Sequence, residues 1–143
     1  MNIIKALRYV LAVVALFAAQ AASAQVAVIV NPKSPLASIT PEQASAIFLG
    51  KTTSLPGGGT AAPADLPEGS NAHEAFYSKA AGKSAAQVKA TWARLTFSGK
   101  AVPPKELPTA ADVKKFVANN PEAIGYIEKS AVDSSVKVVL TLE

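Results

Sequence analysis

Across 143 residues the sequence carries no cysteine and one histidine, and 14 Lys/Arg stand against 10 Asp/Glu for a net charge of +4. Disulfides, thiolate metal sites and a lipid attached through cysteine are therefore excluded. One histidine and no recognisable acid pair leave no visible constellation for Ser-His-Asp or Cys-His catalysis, and so small a charge does not argue for nucleic-acid or membrane binding.

Lys5 and Arg8, with no acid among the first nine residues, precede an uninterrupted apolar run at 10–19, and Ala22, Ser23 and Ala24 follow. These are the charged region, hydrophobic region and small-residue cleavage site of a secretory signal, with the cut before Gln25. The alternative, a membrane anchor, meets the difficulty that the run is half the roughly 20 apolar residues that span a bilayer. Residues 25–143 remain, the size of one domain, with 12 basic and 10 acidic groups once Lys5 and Arg8 are set aside. A periplasmic or secreted location is the expectation.

Val26 to Val30 is a short β-branched run stopped by Asn31-Pro32, which predicts a buried, central strand. Thr40-Pro41-Glu42-Gln43 supplies an N-cap, proline at the first helical position and a capping-box glutamine, predicting a helix over 41–49 stopped by Gly50. Leu55 to Gly59 reads as a flexible loop and Thr60 to Leu66 as a weaker extended stretch. A helix then starts near Ser70 and ends at Gly82, and Ser84 to Gln87 opens another by the same capping-box logic, with Val88, Trp92 and Leu95 at helical spacing. Phe97 to Pro108 is a proline-bearing connection. Thr109 caps a helix through Asn119, with Val113, Phe116 and Val117 on its inner face, and strands at 123–128 and 136–142 close the chain. Strands separated by helices predict an α/β fold: a small mixed or parallel sheet with helices on both faces.

Four segments in order, the strand 26–31, ITPEQASAIFLGK, DLPEGSNAHEAFY and PEAIGYIE, resemble the phosphate-type substrate-binding proteins of ABC transporters. The resemblance covers nearly all of residues 25–143. Complete members have two lobes and about twice this length, so it implies a single lobe of the type II periplasmic-binding-protein kind, a non-enzymatic solute-binding module without a cofactor. Implied partners are a small oxyanion such as phosphate and a transporter membrane component, or a second copy of the chain. The family's anion loop reads Arg, any residue, Asp, Gly, Ser, Gly, Thr. Here Gly69 and Ser70 keep the Gly-Ser pair, while Leu66 replaces the arginine and Ala72 the threonine.

The candidate ligand site is accordingly the helix start at Gly69, Ser70, Asn71 and Ala72, where unpaired backbone N–H groups meet the positive end of a helix dipole. A competing reading makes Ser70 only a cap. Asp65 and Glu68 would repel an anion unless they point away. His73 reads as a solvated or capping residue, Phe76, Tyr77 and Trp92 as core, and Lys79, Lys83 and Lys89 as a solvated face. A cell-envelope interaction or scaffold protein that keeps the lobe without a ligand is the alternative function.

Overall fold

The structure is a computed structural model in which residues 25–143 are described; residues 1–24, expected to be a secretory signal, lie outside the described residues. Its frame is a five-stranded mixed sheet in the order β3-β2-β4-β1-β5, built from β1 (Val26–Val30), β2 (Ala62–Asp65), β3 (Lys105–Glu106), β4 (Ala123–Glu128) and β5 (Lys137–Leu142). β1 runs antiparallel to β4 and β5, and β2 runs parallel to β3 and β4. The middle position belongs to β4. β1, expected there, is one place off centre, although all five of its residues are buried. A run apolar on both faces marks a strand as internal, and it does not say which internal place the strand takes.

The helices are α1 (Pro41–Phe48), α2 (Asn71–Ala81), α3 (Ala85–Phe97) and α4 (Ala110–Asn119). Each begins where a hydroxyl accepts from the backbone N–H three residues on: Thr40 from Gln43, Ser70 from His73, Ser84 from Gln87 and Thr109 from Asp112. In α1 and α3 the glutamine answers back to the cap residue's own N–H, completing a capping box.

Alternation along β4 sends Ile124 and Tyr126 to one face of the sheet and Gly125 to the other. Tyr126 stacks on Phe76 of α2 at 4.1 Å between centroids and meets Phe48 of α1 edge-on at 5.6 Å. Behind Gly125 lies α4, so close that a Cβ there would sit 2.7 Å from Val113 Cγ1. The sheet is thus covered on both faces, as the sequence predicts. Asn31, just past β1, donates from Nδ2 to the carbonyls of Val117 and Ala118 at 2.9 and 3.0 Å, satisfying the C-terminal end of α4.

Candidate functional site

β2 ends at Asp65, and Leu66 to Ser70 then turn the chain into α2. The turn closes with Ser70 N donating to the Pro67 carbonyl at 3.1 Å, and Gly69 takes a φ of +93°, a conformation glycine adopts without strain. Gly69, Ser70, Asn71 and Ala72 are thereby gathered in the first turn of α2. Gly69 and Asn71 are exposed and Ala72 is buried. Ser70 is the cap, its Oγ accepting from His73 N at 3.2 Å. The groups this leaves for a ligand are the backbone donors at the start of α2.

Beneath the turn lies an arrangement that sequence reading missed. Tyr126 OH donates to Asp65 Oδ1, Tyr77 OH donates to Oδ2 at 2.7 Å, and Leu66 N donates to Oδ1 at 2.9 Å. One carboxylate therefore ties the end of β2 to β4 and α2. Burial pushes both tyrosine hydroxyls far above their ordinary range, and the adjacent Asp65 charge and its hydrogen bonds push the same way. Both remain donors at any physiological pH. Two signals could have found this knot: strand alternation aims Tyr126 at the core, and a buried tyrosine hydroxyl needs a partner.

Asp65, although it lines the cleft beside the turn, has both carboxylate oxygens engaged by these donors. Glu68 is exposed and lines, with Glu106, Lys89, His73, Trp92 and Leu66 among others, that same cleft of about 270 Å³. Apart from the tyrosine-bound Asp65, that cleft meets a ligand with two carboxylates and one ammonium, a balance adverse to a doubly charged anion. Leu66, in the arginine position of the resemblance, is buried in the hydrophobic core.

His73 and Trp92 differ most from expectation. His73 is buried, at 6% exposure, not solvated: it precedes Phe76 and Tyr77 by three and four residues, so the helix turns all three to the same side. Its ring lies 4.7 Å from that of Tyr77, and its Nδ1 has no hydrogen-bond partner among the described residues. Trp92 is half-buried where full core was expected. Its Nε1 donates to the Phe48 carbonyl at 3.0 Å while its ring forms a cleft wall. Phe76 and Tyr77 are fully buried. Lys89 is exposed, and Lys79 and Lys83 are half-buried. Among the described residues no cluster of three or more His, Asp or Glu is placed to hold a metal, and no helix is long and apolar enough to cross a membrane.

No family model and no curated protein matches the chain. Solved structures do. A phosphate ABC transporter substrate-binding protein from Clostridium perfringens, with bound phosphate, is 27% identical with a TM-score of 0.65, over 80% of this chain and 43% of that one. An ABC-type phosphate transport receptor from Vibrio cholerae is 22% identical with a TM-score of 0.62, over 80% and 44%. PstS from Borrelia burgdorferi is 13% identical with a TM-score of 0.60, over 80% and 46%; these last two likenesses concern the fold alone. The chain spans less than half the length of each. It resembles a single lobe of the phosphate ABC transporter substrate-binding proteins.

Proposed function

We propose that this chain is an exported, non-enzymatic solute-binding module that holds a small oxyanion, phosphate being the first candidate, at Gly69, Ser70, Asn71 and Ala72. The observation that carries the reading is the likeness, at 27% identity over 80% of the chain, to a phosphate ABC transporter substrate-binding protein with bound phosphate. An anion there would accept from backbone donors, each charge-assisted bond contributing about 1.5–3 kcal/mol against an unmade one. The helix dipole adds about 0.3–1 kcal/mol at an exposed end. With no arginine at position 66 and with Glu68 nearby, binding by one copy is weak. A transporter membrane component is the partner this reading implies.

The test is to heat the purified protein with and without phosphate, sulfate and a set of carboxylates. A ligand that binds only the folded state raises the melting temperature with its concentration, by mass action. The excess of carboxylates at the cleft favours a second reading, an envelope scaffold that keeps the lobe without the ligand. Under that reading no oxyanion moves the melting temperature beyond the shift that ionic strength alone produces.

A further inference from the structure

α3 has an unusual balance for a helix of 13 residues. Eight of them are Ala, Val, Trp, Leu or Phe, yet Val88 alone is fully buried. Its principal neighbour is α2. Along its outer flank Lys89, Trp92, Ala93, Thr96 and Phe97 line an open groove of about 530 Å³. Relative to Lys89 those positions are i+3, i+4, i+7 and i+8, the spacing of a stripe made to pack against another helix. At its end Phe97 is 96% exposed, the most exposed of the large hydrophobic side chains among the described residues.

The stripe is complementary to itself. Lys89 and Phe97 lie four residues to either side of Ala93. If two copies of α3 cross antiparallel at Ala93, each Lys89 meets the other copy's Phe97 about 6 Å along the axis from the crossing. A lysine ammonium over an aromatic face is an attractive pair, and the lysine's carbon stem covers the ring as well. Alanine at the crossing lets the helices approach to about 8–10 Å between axes. The like charges are kept apart: the two Lys89 Cα positions lie roughly 12 Å apart along the axis, beyond the Debye length at physiological salt. Arg94 lies about 100° round the helix from Ala93, off the stripe. Lys89 forms no ion pair that would hold it back, since the ion pair found among the described residues is Lys114 with Asp133.

We propose that the occupant of this groove is a second copy of the chain, in a twofold dimer formed by α3 crossing α3 at Ala93. A twofold interface uses the same patch on both subunits, which is what a stripe symmetric about one residue supplies. The interface stands whether or not an oxyanion binds at α2.

Sedimentation equilibrium of the purified protein tests it, together with one cysteine substitution. The parent should show twice the chain mass at about 100 μM, and Phe97→Asp should weaken association by about tenfold or more, as loss of a buried aromatic anchor does. Because the sequence has no cysteine, Ala93→Cys reports the crossing without background. Facing Cα atoms at such a crossing lie about 3.5–5.5 Å apart, overlapping the disulfide range, so mild oxidation should link the dimer. Val102→Cys, on the neighbouring loop, should not link. A parent that is monomeric at 100 μM, a dimer indifferent to Phe97→Asp, or linkage through Cys at 102 and not at 93 would each overturn the proposal. Phe97 is so exposed that its substitution spares the fold, and the Ala93→Cys result decides the matter should that variant misbehave.

Discussion

Gly125 has no side chain because α4 occupies the space one would need. A Cβ at this position would meet Val113 Cγ1 at 2.7 Å and Val117 Cγ2 at 3.3 Å. Gly125→Ala should therefore destabilise the protein by about 1–3 kcal/mol, the usual effect of overpacking, read as a lower urea midpoint with an unchanged slope. Gly50 is similar, its φ of +74° joined to a Cβ position 2.8 Å from the Trp92 ring. Asn31 stitches β1 to the end of α4, and Tyr126 holds Asp65. These residues belong to the segments that carry the family resemblance, and each has a structural task that needs no ligand. The resemblance therefore speaks more directly for the fold than for phosphate.

The Asp65 knot has a consequence at alkaline pH. Tyrosines ionise near 10 in an unfolded chain, whereas Tyr77 and Tyr126 are held well above that in the fold. Folded pKa values raised above unfolded ones mean stability that is complete below pH 10 and lost as pH rises beyond it, because the unfolded state then releases protons the folded state keeps. Urea unfolding between pH 8 and 11 should show the decline begin near 10. In Tyr126→Phe the decline should be shallower, and stability at pH 8 lower by about 2 kcal/mol for the lost bond to a charged group.

At the scale of elements, local chemistry made the helices legible. Thr40, Ser70, Ser84 and Thr109 each cap the helix they were expected to cap, because an N-cap acts over three residues and needs no tertiary context. What the sequence left hidden depends on distant partners. β3 is two residues within a proline-bearing connection, and it is a strand only because β2 lies beside it. The burial of His73 depends on which side of α2 meets the protein. Trp92 shows the same limit: helical spacing marks it as inward, but α3 sits at the margin, leaving half the ring to line clefts. Trp92→Ala should still cost several kcal/mol, about 3 or somewhat less, at the low end for aromatic truncation because the side chain is half-buried and loses one hydrogen bond to Phe48. Thermal unfolding checks the magnitude, and a loss below about 1 kcal/mol would mean that the ring contributes little to the fold.

For the whole molecule, the likeness is to one part of a larger fold. The chain covers 43% of the phosphate-bound substrate-binding protein it resembles, and the described residues correspond to a single lobe. The candidate site was legible in part: Gly69, Ser70, Asn71 and Ala72 do form one helix start with Glu68 next to it in the chain, while Glu106, which lines the same cleft, is a neighbour only in space. Export follows the same division between reading and test. Intact mass of the protein recovered from outside the cytoplasm should correspond to a chain beginning at Gln25, and retention of residues 1–24 would contradict the proposed cleavage.

The most direct test of the binding claim separates affinity from stability at the helix start. Asn71 is exposed in the first turn of α2, where an added carboxylate complements the dipole and leaves the fold as stable or slightly more so. The same carboxylate would repel an anion held by the neighbouring backbone donors. In calorimetric titration with phosphate at fixed ionic strength, the parent should bind weakly, Asn71→Asp should show no binding heat while keeping its melting temperature, and Glu68→Lys should bind about tenfold or more tightly than the parent. Equal heats from all three proteins, or none from any of them, would contradict an oxyanion site at Gly69 to Ala72.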